Sequence, residues 1–407
     1  MLEIGVQSRG IIRENAIEEG YRKIKQAGMT CVDYNIVSPK EKLEKLEVSY
    51  YKKHKECAAK HGLSFPQVHA PLLIYETNGA YKIDYILEEM KKSLAISSLL
   101  GSRYLVMHPL ELAFELGREE EKKINLEYFG ALAQEASRQK VMICIENMPY
   151  RENGRVWEGA CSGAREAVEY INILNEKAGE ECFGACFDTG HANVLGKNLR
   201  EEIKTLGRHL KVLHIHDNDG ITDSHQLPYS FSGAKSGACT TDWSGFLLGL
   251  REIRYAGTLS FETYRSFTSF PGVLQVSLLK FLHSIGTNFS RVICYEEVLE
   301  TMGATNKERP MKRILFGAGK MFDVYMKEFG GKYPPDFAVD NNASLWGTFK
   351  MGIPICKPQD ILKIPENERV VIVCNAYYEE IIEQLRGMGI DDYELTEEIL
   401  RMNGKPI

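Results

Sequence analysis

The chain has no apolar stretch approaching the roughly 18 residues that a membrane-spanning helix needs, and no low-complexity tract. It has no Cys-x-x-Cys pair. Its ten cysteines (Cys31, Cys57, Cys144, Cys161, Cys182, Cys186, Cys239, Cys294, Cys356 and Cys374) are scattered, several of them inside apolar runs. That excludes a disulfide framework or a zinc knuckle and suits buried thiols in a reducing compartment. Cys182 and Cys186 read as core thiols on the same grounds. Basic charge is not in excess either: Lys and Arg number 50 against 56 Asp and Glu, for a net charge of -6. Nucleic acid is therefore disfavoured as a partner. The opening residues Met1 to Val6 read as a strand rather than a basic segment followed by an apolar one. The expectation is a cytoplasmic protein with no membrane association.

What is present is enough chain for two cores. With 407 residues and 44% apolar side chains, the sequence accommodates a barrel of about 250 residues and a second domain. Short β-rich runs recur at Leu2–Gln7, Cys31–Ile36, Phe65–Pro71, Tyr104–Pro109, Val141–Asn147, Phe183–His191, Val212–Asp219 and Gly257–Tyr264. Between them lie segments with a helical period. Ile83, Ile86, Leu87, Met90 and Leu94 share one face before Gly101, as do Trp243, Phe246, Leu247, Leu250 and Ile253 later. Strand then helix, eight times, predicts a (β/α)₈ TIM barrel over 1–288. The pattern stops after Phe281, so 289–310 reads as a linker and 311–407 as a smaller Rossmann-like α/β domain.

In such a barrel the chemistry sits where strands end. Six successive strands end in a group able to hold a metal: His69, His108, Glu146, Asp188 with His191, His214 with His216, and Glu262. One such group is usually structural; six converging on one mouth are not. Burying Glu146, Asp188 and Glu262 together costs several kcal/mol unless a cation or protons offset the charge. Three carboxylates and an imidazole suit Mn²⁺ or Mg²⁺ and also accept Co²⁺ or Zn²⁺. His214 and His216 compete for the place on strand seven, because alternate strand residues share a face.

These residues resemble the xylose isomerase-like TIM barrels, a family that includes sugar isomerases and epimerases and the endonuclease IV type of DNA-repair enzyme. The resemblance spans roughly residues 1 to 288. It implies that Glu146 (in Ile-Glu-Asn), Asp188 (in Phe-Asp-Thr-Gly-His), His214 and Glu262 (in Glu-Thr) bind one divalent metal, with Glu146 and Glu262 also acting as acid and base. His214 is preferred over His216 because in relatives the ligand stands three residues before an acid, here Asp217. His69, His108, His191, His216, Asp223 and His225 are assigned to a sugar-like small-molecule substrate. One departure stands out: Gly220 occupies the position where ketose epimerases of this group carry a substrate-binding Arg.

The resemblance also supports a rival. His69, His108, Glu146, Asp188, His191, His214, Asp223, His225 and Glu262 match the nine ligands of a three-zinc endonuclease IV site, so more than one zinc is the alternative cofactor. The spacing from His214 to Asp223-Ser-His225 is shorter than in the endonuclease loop. Asp33 and Tyr34, ending strand two, read as helix caps, and His61 as a surface residue. The Gly- and Ser-rich loop from Gln226 to Thr241 reads as a lid. In the C-terminal part, Gly317-Ala-Gly319 followed by Asp340 resembles a dinucleotide loop, but Phe322 stands where a third glycine belongs. No cofactor is assigned there; an oligomerisation surface is the alternative role.

Overall fold

The computed structural model describes residues 1–36, 47–72, 83–112, 114–152, 154–231, 241–304, 311–375 and 377–395. Two compact units emerge, Met1–Ile293 and Cys294–Ile407. The first carries strands β1 (Ile4–Gln7), β2 (Cys31–Asn35), β3 (Gln67–His69), β4 (Tyr104–Met107), β5 (Met142–Glu146), β6 (Phe183–Asp188), β7 (Leu210–His214) and β8 (Leu259–Phe261). All pair in parallel, in the order β8-β1-β2-β3-β4-β5-β6-β7. The ring closes just beyond β7, where Ile215 bridges Phe261; Ile215 N donates to Ser260 O at 2.9 Å and Glu262 N to Ile215 O at 3.0 Å. This is the expected (β/α)₈ barrel, and closure leaves no strand edge unpaired.

Parallel strands covered on both faces should be apolar throughout, and β6 is buried at all six positions. Inside the ring Val106, Cys144, Cys186 and Val212 pack together, so Cys186 is a core thiol as expected. The helices bury the faces that their spacing predicted. On the helix Ile83–Leu100, Ile86, Met90 and Leu94 are buried; on Trp243–Glu252, Trp243, Phe246, Leu247 and Leu250 are. Each such side chain contributes on the order of 1.5–3 kcal/mol relative to exposure.

Three boundaries differ from the sequence reading. β6 stops at Asp188 rather than running to His191, because the Asp188 carboxylate accepts the His191 N–H at 2.6 Å and caps the helix Thr189–Val194. An N-cap needs one extended residue followed at once by helical ones. The stretch 289–310, expected as a linker, carries the end of the helix Gln275–Ile293 and a further helix, Tyr295–Ala304. The β5 end continues into a hairpin, Pro149–Glu152 with Arg155–Glu158, that strand periodicity had not marked.

In the second unit, strands β9 (Lys312–Phe316), β10 (Phe337–Val339), β11 (Phe349–Lys350), β12 (Ile353–Cys356), β13 (Arg369–Val373) and β14 (Tyr393–Leu395) form one sheet, ordered β11-β12-β10-β9-β13-β14. All pairs are parallel except β11 with β12. This is a Rossmann-like arrangement in which the order reverses at β9. Gly317 follows β9 with φ +119, and a Cβ there would lie 2.5 Å from Cys374 O, so only glycine fits. Asp340 is engaged locally: its Oδ2 accepts Ala318 N–H and its Oδ1 Asn342 N–H, both at 2.8 Å. Phe322 is fully buried where a third glycine would bring a helix close. Among the described residues, no helix is long and apolar enough to cross a membrane.

Candidate functional site

The strand ends converge at the carboxyl mouth of the barrel. Glu146 ends β5, Asp188 ends β6, His214 ends β7 and Glu262 follows β8. Each offers one donor atom, and the four atoms lie within 4.8 Å of one another. All four residues are buried. His214 is the hub: its Nδ1 is 3.1 Å from Glu146 Oε1 and 3.0 Å from Glu262 Oε2.

The choice between His214 and His216 resolves into two different neighbourhoods. His216 Nε2 contacts Asp188 Oδ2 at 3.0 Å and Asp223 Oδ1 at 3.6 Å. Its ring stacks on His225 with centroids 4.1 Å apart. Gly190 makes room for it, since a Cβ there would come within 1.9 Å of His216 Cε1. A chain reading Phe-Asp-Thr-Ala-His could not place this ring. His225 sits at φ +46, an uncommon conformation for a residue with a side chain. It is held by Nδ1 donating to Glu262 O at 3.1 Å and by Nε2 facing Asp223 Oδ2 at 3.1 Å. His216, Asp223 and His225 thus form a second donor group, and His69, His108 and Glu146 a third. In the latter His108 Nε2 is 3.1 Å and His69 Nε2 3.4 Å from Glu146 Oε2.

His191 joins the groups: its Nδ1 donates to Asn147 O at 3.0 Å and its Nε2 lies 3.5 Å from Asp223 Oδ2. All ten sequence-assigned site residues therefore lie at one mouth. Of the Gln226–Thr241 loop, residues 232–240 are outside the described residues, as is Cys239. At its flanks, Asp217 accepts Thr241 Oγ1–H at 2.6 Å and Phe231 N–H at 3.3 Å.

Several contributors escaped the sequence reading. Asp33, expected to cap a helix, is buried inside the barrel with Oδ2 accepting from Gln67 Nε2 at 2.9 Å and Ser260 Oγ at 3.2 Å. Among the described residues the helix that follows is Val48–Lys60, with Glu47 and not Asp33 at its N-cap. Gln7 donates to Glu262 Oε1 at 2.6 Å. Asn147 clamps β5 to β6: Asp188 N donates to its Oδ1 at 2.6 Å and its Nδ2 to Asp188 O at 3.0 Å. The available signal was a polar residue in a fully buried strand, which must have a buried partner. His61, read as surface, is partly buried and lies 4.0 Å from Glu18.

The charges are strongly coupled. Burial alone would raise the carboxyls of Glu146 and Glu262, yet the facing histidines, His214 above all, hold both well below the usual range. Burial opposes charge on His191 and His216, but the Asp188 and Asp223 carboxylates outweigh it, pushing His191 up to about 10 and His216 up to about 9. An unfolded histidine titrates near 6.5, so this stabilisation is fully present below about pH 6.5 and is lost as pH rises through about 9 to 10. In excess chelator, folding stability should therefore fall across that window by an amount on the order of a few kcal/mol. Urea denaturation at a series of pH values measures it, and a flat profile from pH 6.5 to 10 would contradict the pairing.

Residues 21–279 match a family described as the xylose isomerase-like TIM barrel. The chain belongs to that family. Within it, this chain is 23% identical over 185 residues to inosose isomerase of Bacillus subtilis, covering 44% of this chain and 60% of that protein. It is 27% identical over 180 residues to a probable endonuclease 4 of Staphylococcus aureus, covering 40% of this chain and 55% of that protein. The chain thus spans little more than half the length of these curated relatives. A crystal structure of D-psicose 3-epimerase, determined with D-fructose, shares the fold at 14% identity with a TM-score of 0.54, covering 72% of this chain and 99% of that one. The family includes both sugar-converting and endonuclease-named members, and fold alone does not choose between them.

The donor set fits the cation that the family implies. Three buried carboxylates with one imidazole form a mainly hard site, and Glu146 Oε2 is a buried oxygen with no aligned hydrogen bond. Cys186 also comes within reach of Glu146 and His214. Burial pushes its thiol far above the ordinary value, so it is neutral there.

Proposed function

We propose that this protein is a divalent-metal-dependent isomerase or epimerase acting on a sugar, a sugar phosphate or a cyclitol. The observation that carries the reading is the pair of glutamates, Glu146 and Glu262, facing one imidazole nitrogen from two strands, with Asp188 closing the same cluster. Glu146, Asp188, His214 and Glu262 would hold the cation, which when bound supplies polarisation of a carbonyl and compensates the buried negative charge. Ionised at neutral pH, Glu262 would be the group that removes a proton from the carbon beside that carbonyl. The resulting enediolate would be reprotonated either by Glu262 giving back the proton it took or, on the other side, by Glu146 on another strand once it has taken a proton from solvent. His191 and His216, both cationic below about pH 9, would donate to substrate hydroxyls or to the developing oxyanion. His69 and His108 lie against Glu146 and would orient both it and the substrate. The similarity to inosose isomerase supports the same class.

A second reading has specific support: zinc-dependent phosphodiester cleavage by two or three metals, favoured by the additional groups His69/His108/Glu146 and His216/Asp223/His225. Elemental analysis of chelator-free protein separates the two. About one metal per chain, unchanged in His225→Ala, is expected for the isomerase or epimerase. Two or three zincs per chain, falling in that variant, together with chelator-sensitive nicking of abasic DNA, would replace it by the phosphodiesterase.

A further inference from the structure

His214 has two ring nitrogens, and the site uses them differently. Its Nδ1 faces Glu146 and Glu262. Its Nε2 points the other way, toward the barrel interior, with Asp33 Oδ2 at 3.2 Å. That nitrogen is fully buried, and as the ring stands its 3.2 Å contact with Asp33 Oδ2 is not an aligned hydrogen bond. A neutral imidazole has one N–H. If Nδ1 is to present a lone pair to a cation, the hydrogen must be on Nε2, and a buried N–H needs an acceptor.

We propose that Asp33 is the positioning residue of this centre: its carboxylate takes the Nε2–H of His214 and so fixes the tautomer in which Nδ1 faces the cation. Asp33 is suited to that task. It comes from β2, a strand that supplies none of the four donors, and it is held from two further strands by Gln67 Nε2 at 2.9 Å and Ser260 Oγ at 3.2 Å. Both donate to the same Oδ2 that faces His214. The position of this oxygen is therefore set by the barrel and not by the ring it serves. His69 stacks on the other side of the arrangement, its ring nearly parallel to His214 at 5.2 Å between centroids, which limits rotation out of plane. A carboxylate behind a metal-binding imidazole both orients the ring and raises its basicity, and its loss commonly weakens metal binding by about 10–100-fold.

The inference rests on the metal reading above, and cobalt(II) tests the two separately. Wild-type protein is titrated with cobalt(II) against a competing chelator, with its visible spectrum recorded, alongside Asp33→Asn and Ser260→Ala. Circular dichroism and the melting temperature of the metal-free proteins control for folding. Asp33→Asn is expected to bind cobalt(II) about 10–100-fold more weakly, with an altered spectrum. Without metal it should melt no higher than the wild type, since the change takes a buried carboxylate from the His214 ring it faces. Ser260→Ala, which removes only one donor to Asp33, should weaken binding by a few fold. Wild-type affinity and spectrum in a folded Asp33→Asn would overturn the assignment. So would a lower melting temperature with unchanged affinity, the result a merely structural role predicts. If Asp33→Asn does not fold, unchanged affinity in Ser260→Ala overturns it. Failure of wild-type protein to take up cobalt(II) would instead bring down the metal reading itself.

Discussion

Glu262→Gln should slow exchange of a carbon-bound substrate proton with D₂O by about 10²–10⁴, even in protein loaded with metal. The change is nearly isosteric. Gln7 Nε2, which donates to Glu262 Oε1 at 2.6 Å, can donate equally to an amide oxygen. What disappears is the negative charge and the capacity to accept a proton. His214 and His225 overcome the effect of burial and keep the Glu262 carboxyl ionised, the state able to accept a proton. A positioned base contributes about 10²–10⁴ in rate, and exchange in the variant should fall by that factor. The measurement is deuterium incorporation followed by NMR across a panel of ketoses, aldoses, their phosphates and inososes. Exchange persisting at the wild-type rate would remove Glu262 from the chemistry and leave Glu146 as the base.

Asp188→Asn should lose the metal and yet keep the fold. Asp188 has two separable duties. Its Oδ1 caps the helix Thr189–Val194 by accepting the His191 N–H at 2.6 Å, and its Oδ2 faces His216 at 3.0 Å within the donor cluster. Asparagine caps a helix about as well as aspartate, so the first duty survives and the second is lost. A cation at 100 times its dissociation constant stabilises the folded state by about 2.7 kcal/mol. For a unit of this size that is a rise of roughly 4 °C in melting temperature. The wild type should show that rise on metal addition, and Asp188→Asn should show little of it. A full metal-induced shift in the variant would mean that the cation is held without Asp188, as in the cluster formed by His69, His108 and Glu146. Loss of the fold without metal would mean that the His216 pair, and not the cap, holds this end of β6.

Much of this site was legible in the chain because a barrel converts strand ends into neighbours. Once eight strands are recognised, Glu146, Asp188, His214 and Glu262 must approach one another wherever they fall in sequence, since parallel strands bring all their carboxyl ends to one mouth. The Phe-Asp-Thr-Gly-His segment was readable for a related reason. Its Asp closes a strand, caps the next helix and faces the site, and its Gly leaves the space that His216 fills. What the chain could not show is which polar residues inside buried strands support those that face the mouth. Gln7, Asp33 and Gln67 lie on three different strands, and their partners Glu262, His214 and Leu213 are 255, 181 and 146 positions away. A pattern of alternating residues says that they point inward. It does not say toward what.

The sequence by itself therefore determined the barrel, the second α/β unit and the set of metal-competent side chains at the mouth, because each follows from local periodicity and from the identity of residues at strand ends. The tertiary structure alone decided how those side chains divide into groups: His214 with the two glutamates, His216 with Asp188 and Asp223, and Asp33 behind His214. The reason is physical. Strand register and ring orientation, such as the shift between Ala185 and Cys186 where β6 meets β7, set distances of a few ångströms between residues far apart in the chain. At that scale a displacement of one ångström changes which carboxylate an imidazole meets.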